Sequence, residues 1–169
     1  MADKATASIS AAVMSDFAKK AMGGNLSYTP ADTGDKWIYL ETIVDATSAA
    51  LVQAGVQYQE RYVRTDGTET VTATGDIVRW MAIKHTGTSD GSTATSSGIV
   101  ISLDASGNAA YGEEEGFFID SGEVFCFKTP ACTLNTIGAI SVTVTNGIPA
   151  SPSSPGDVLV QIAAILDDA

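Results

Sequence analysis

Apolar residues in this chain recur mostly at every second position, in short runs broken by glycine-bearing turns, a period that belongs to strands. Residues 76–128 hold three such runs, 77–83, 99–103 and 117–127. In the first, Ile77, Arg79, Met81 and Ile83 form one file and Val78, Trp80, Ala82 and Lys84 the other, as expected of a strand covered on both faces. The third predicts a hairpin, 116–119 running in and 123–128 running out, with Gly122 supplying the positive φ of an Asp120-Ser121-Gly122 turn. Upstream, 37–44 alternates as a first strand, and 56–64 and 69–74 flank an Asp66-Gly67 hairpin signal. Residues 48–54 fit either a short strand or a helical turn. Downstream, Ile140, Val142 and Val144 point inward against Ser141, Thr143 and Thr145, a strand with one wet face. Residues 157–166 are apolar on both files, which predicts a central strand. Residues 86–98 lack any large apolar side chain and predict an exposed loop. Residues 148–155, with three prolines and three serines, predict another exposed connection. The turn spacing predicts an all-β fold, an antiparallel sandwich or barrel of jelly-roll type.

The N-terminus breaks this pattern. Residues 3–22 are rich in Ala, Lys and Met, contain neither Pro nor Gly, and stop at Gly23-Gly24, a helix stop signal. Ile9, Val13 and Phe17 recur every four residues and would form one narrow apolar stripe, with Asp16 and Lys20 close beside it. The expected organisation is a helical arm at 1–24, a polar linker at 25–36 and a β-sandwich at 37–169. A helix with so narrow a stripe is marginal alone and needs a surface to lie on, its own body or another chain.

With 169 residues, 44% of them hydrophobic, the chain can bury one sizeable core. Its net charge of −11 is unevenly spread. Residues 1–36 carry four basic and four acidic side chains, so the whole excess lies after them, and beyond Thr86 the one basic residue is Lys128. A surface of that sign repels phosphate and argues against a nucleic-acid partner. No run approaches the roughly 20 apolar residues of a bilayer span, and 1–25 lacks the layout of a secretory signal. The expectation is therefore a chain that stays soluble in the cytoplasm where it is made, without a membrane partner. Cys126 and Cys132 read as a strand thiol and a loop thiol rather than a disulfide scaffold.

Candidate chemistry is sparse. His85 is the single histidine, which excludes a histidine-rich metal site; Asp90 and several serines lie near it without a nucleophile-elbow motif. Glu113, Glu114 and Glu115, with Asp120 and Glu123, could gather oxygen ligands for Ca²⁺, but Asp104-x-Ser106-x-Asn108 lacks the later glycine and closing Glu of a calcium hand. The same acids do not define the separation that a glycosidase pair requires. Trp37, Tyr39, Tyr58, Tyr62, Trp80 and Tyr111 could stack on sugars, although strand aromatics more often form core and cross-strand pairs. No catalytic residue, metal or cofactor is expected.

An acidic β-domain with a neutral, separable arm suggests a building block. The plan, together with the runs IVRWMAIKHTG, GFFIDSGEVFCFK and IGAISVTVTNG, resembles the small head decoration, or cement, proteins of tailed bacteriophages. The resemblance covers residues 37–169 in strand and turn style. It implies a jelly-roll subunit, often a homotrimer, on the outer surface of the virion, where it binds the major capsid protein and reinforces the shell. On that reading Ile9, Val13, Phe17 and Met22 form the capsid or subunit contact, and the loop 87–98 is distal or lies between subunits. The alternative is a receptor- or carbohydrate-binding sandwich of a fibre or adhesin.

Overall fold

The strand latest in sequence occupies the middle of the largest sheet. The computed structural model describes residues 4–15, 18–30, 36–45, 49–50, 60–64, 76–102, 117–129, 141–145 and 156–167, all strand, turn or coil without a helix among them. β11 (Val158–Asp167) lies between β3 (Lys36–Val44) and β6 (Ile77–His85), with β5 (Glu60–Arg64) and β9 (Val124–Lys128) at the edges. A second sheet runs in the order β4 (Ala49–Ala50), β10 (Ser141–Thr145), β7 (Gly98–Ser102), β8 (Phe117–Ile119). Every pairing is antiparallel. The fold is all-β, and the doubly apolar 157–166 run forms the predicted central strand.

The two sheets share one core. Ile38, Leu40, Met81, Ile83, Val160, Ile162, Ala164 and Leu166 of the larger sheet meet Ile99, Ile101 and Ile119 of the smaller, with Phe125 and Phe127 packed at the margin. Most of these side chains are β-branched or aromatic, types that fill a pleated surface well.

β6 departs from its two expected files. Ile165 pairs with Trp80, but the next residue, Leu166, pairs with Val78, so Arg79 is an extra residue in the ladder. The bulge reverses the alternation. Val78 therefore joins Met81 and Ile83 in the core, while Trp80 and Ala82 face the other way.

The predicted 117–127 hairpin is also corrected. The turn exists, with Gly122 at φ 80° and Glu123 N–H donating to Asp120 O at 2.9 Å. Its two strands, however, pair with different neighbours, β8 with β7 and β9 with β6, so the turn carries the chain from one sheet to the other. Local turn chemistry was legible; the choice of partner depended on strands distant in sequence. On the smaller sheet the Phe118 ring closes over Gly98, where an added Cβ would stand 2.4 Å from it.

The N-terminal helix is the largest correction. β1 (Ala5–Ser15) and β2 (Ala18–Tyr28) form a two-stranded antiparallel ladder from Ala5↔Tyr28 to Ser15↔Ala18. The reason is visible in Ala5-Thr6-Ala7-Ser8-Ile9-Ser10-Ala11, where apolar and polar residues alternate with period two, competing with the every-fourth spacing of Ile9 and Val13. The expected linker shortens accordingly, since Asn25–Tyr28 belong to β2 and Lys36 to β3.

Candidate contact surface

The outer face of the five-stranded sheet is built in rows set by strand register. Trp37, Ile165 and Trp80 form one row, Tyr39, Ala163 and Ala82 the next, and Glu41, Gln161 and Lys84 the third. The first row and the two alanines of the second lie under the root of the N-terminal hairpin: Ala5, Ala7, Leu26 and Tyr28 pack with Trp80, Ile165, Trp37, Ala82 and Ala163. The third row is wet and polar, with Gln161 Nε2 donating to Glu41 Oε1 at 2.6 Å and the Tyr39 hydroxyl to the same oxygen at 3.1 Å.

Tyr28 is the peg of this seam. The Arg79 guanidinium stands 5.8 Å from its ring centroid and the Lys128 ammonium 6.0 Å, cation–π distances. Arg79 Nε also donates to the Tyr28 hydroxyl at 3.4 Å and pairs with Asp167 at 3.3 Å, and Lys128 Nζ donates to Ser27 O at 3.2 Å. The bulge thus does two things at once, returning Val78 to the core and releasing Arg79 to reach the hairpin. Thr129 secures the same place, its hydroxyl donating to Val78 O and its N–H to Arg79 O.

The seam has a defect. The indole nitrogens of Trp37 and Trp80 are buried without a hydrogen-bond partner. An unmet buried donor costs about 1–3 kcal/mol, comparable to what a well-made local contact contributes.

Of the four residues expected to make the arm's contact, Ile9, Val13 and Met22 lie in the hairpin, at Ile9↔Gly24, Val13↔Lys20 and Met22↔Ala11. In register these positions have the same parity as the root pairs Ala5↔Tyr28 and Ala7↔Leu26. Phe17 lies outside the described residues. A second apolar feature, absent from the expected site, joins the two sheets at one margin. Phe117 stacks on Phe125 with centroids 4.5 Å apart, and Phe117 and Val124 are each about half exposed (49% and 54%). Both come from edge strands, β8 and β9. The signal that could have located it was the Phe-rich 117–127 run, once its strands were assigned to separate sheets.

The remaining candidates are held by structural bonds. His85 is fully buried on the core-facing file, its Nδ1 accepting from Gly87 N–H at 2.9 Å and its Nε2 lying 2.7 Å from Ser97 O. The Gly87 bond requires a lone pair on Nδ1, which places the ring proton on Nε2 and makes it a donor to that carbonyl. The Ser97 hydroxyl accepts from Gly156 N–H at 3.0 Å. This is bracing of the 86–98 loop rather than a nucleophile with its base. Asp90 closes the loop's tip, accepting from the backbone and hydroxyls of Thr93 and Ser92. Those bonds, the Thr93 N–H first, hold its carboxyl far below the ordinary range. The predicted loop is exposed at its tip but tied to β11 by Leu159 N–H on Thr88 O and Thr86 N–H on Leu159 O.

Glu123 accepts from Asp120 N–H at 2.8 Å and Asp120 from Ser121 N–H at 2.7 Å, so both acids serve their turn. Glu113, Glu114, Glu115, Asp104, Tyr58 and Tyr111 lie outside the described residues, as does Cys132. Cys126 on β9 is a free thiol whose partial burial raises its pKa. Among the described residues no cluster of three metal-ligating side chains occurs, and no helix is long and apolar enough to cross a membrane. No family model, curated protein or solved structure matches the chain.

Proposed function

We propose that the protein is a structural subunit of a virion, a decoration or cement protein that binds the outer surface of a phage head and strengthens the shell through protein–protein contacts. The observation that carries this reading is the N-terminal hairpin. Among the described side chains its contacts with the body come from root residues 5–7 and 26–28, and its ladder continues for eight further pairs, from Ser8↔Asn25 to Ser15↔Ala18. Eight residues of strand reach about 26 Å. A two-stranded ribbon of that length gains little stability alone and fits a role in contacting another surface.

The arm in this proposal is a β-ribbon rather than a helix, and Ile9, Val13 and Met22 keep their assigned role as the positions a partner meets. The resemblance to head decoration proteins supplies the major capsid protein as partner, the homotrimer as assembly, and a jelly-roll as the finer description of the packed sheets. The half-exposed Phe117 and Val124 margin suits contact between subunits. The net charge of −11 keeps free copies apart until such designed contacts form.

The test is co-sedimentation with undecorated particles. Deleting residues 1–24 should leave a folded β-domain, judged by circular dichroism, that no longer sediments with the heads. Full binding by the shortened chain would remove the arm from the function.

A further inference from the structure

We infer that the hairpin root is a releasable latch on the Trp37–Ile165–Trp80 row, able to lift while the two-sheet core stays folded. It deepens the proposed function, resting on that reading for its purpose, since a lifted arm is free to engage a partner. Its physical basis lies in the seam alone.

Three observations converge. First, the closed seam leaves two indole N–H groups buried without acceptors, and lifting the root returns both to water, which offsets part of the cost of exposing the apolar seam. Second, what the root inserts is small: Ala5 is its one buried apolar residue, with Ala7, Leu26 and Tyr28 only partly covered. Third, one of the two cations that hold the peg lies at the surface. Lys128 is exposed, so its hold on Tyr28 weakens with salt, while Arg79, whose side chain is 19% exposed, is screened less. None of the core residues beneath β6 and β11 depends on this seam, because Met81, Ile83, Ile162 and Ala164 point to the opposite face. Local opening of this kind separates from global unfolding wherever a region has few buried apolar contacts of its own.

The latch has a built-in reporter, because the protein's two tryptophans are the two that the root covers. Acrylamide quenching and emission maximum should be measured on the full chain, on Tyr28→Ala and on Lys128→Gln. Tyr28→Ala should raise the quenching constant about twofold or more and red-shift emission, with an unchanged β circular-dichroism spectrum. Lys128→Gln should move both in the same direction by less, and 1 M salt should do so in the wild type. In urea, emission should change at lower concentration than circular dichroism. Unchanged quenching in both variants, coincident urea transitions, or failure of Tyr28→Ala to fold while Lys128→Gln behaves as wild type would each overturn the latch. The particle assay is independent: a latch that opens in a protein whose truncation still binds heads would remove the arm from the function and leave the latch standing.

Discussion

β6 and β11 each present one face to the core between the sheets and the other to the hairpin root, and the two faces are built differently. Toward the core stand Met81, Ile83, Ile162 and Leu166, all fully buried. Toward the root stand Ala82, Ala163, Ile165 and Trp80, closed by alanines and carrying an unmet indole donor. The same backbone therefore supports one contact that fills its volume with branched side chains and one that is thin and polar-flawed. Burial alone does not distinguish them, since Ile165 and Ile162 are equally inaccessible. What differs is how much apolar surface each partner brings and whether every polar atom is answered.

The largest expected effect tests the stronger side. Met81→Ala should lower unfolding stability by about 2–5 kcal/mol in urea titration, the range for emptying a packed core position. Its neighbour across the sheet offers the contrast. Trp80→Phe removes the orphan donor along with part of the ring, and the two effects oppose, so stability should stay within about 1 kcal/mol of wild type. A loss from Trp80→Phe as large as that from Met81→Ala would erase the distinction between the faces. The smallest effect comes from a loop that belongs to neither face and serves as a control. With its carboxyl held low, Asp90 gives the 86–98 loop a contribution that is full above the ordinary value of 3.8, declines as pH falls below it and is gone once pH has passed the depressed folded value. The Ser92 and Thr93 amide resonances should keep their positions through pH 3.8 and move only in stronger acid, read by NMR titration; movement centred on 3.8 would show that the tip is loose.

Much of the body was legible because period two is a local signal. β3, β6, β7 and β11 stand where alternation or a doubly apolar run placed them. The turn at Gly122 was readable for the same reason. What escaped the sequence was decided at a distance. The bulge at Arg79 depends on the register of β11, some 80 residues away, and the parting of β8 from β9 on the neighbours each finds. At the N-terminus two periods overlapped in one stretch, and Gly23-Gly24, read as a helix stop, lies within β2 at Ser10↔Gly23 and Ile9↔Gly24. Of the expected contact set, the positions of Ile9, Val13 and Met22 proved to share a register, whereas the seam with Trp37 and Trp80 depended on packing that no local pattern encodes.

The placement of β11 also governs how the polypeptide is made. Because β3 and β6 pair with it and not with each other, a nascent chain on the ribosome that has not yet released residues 158–167 holds β3 with β5 and β6 with β9 at most, two half-sheets whose shared central strand is missing. β3 waits while residues 45–157 are made and β6 while 86–157 are made, each with one side open to mispairing with neighbouring copies, and closure over so long a separation is slow. Chaperone capture during translation should therefore concentrate on β3 and β6 and end when the final strand emerges.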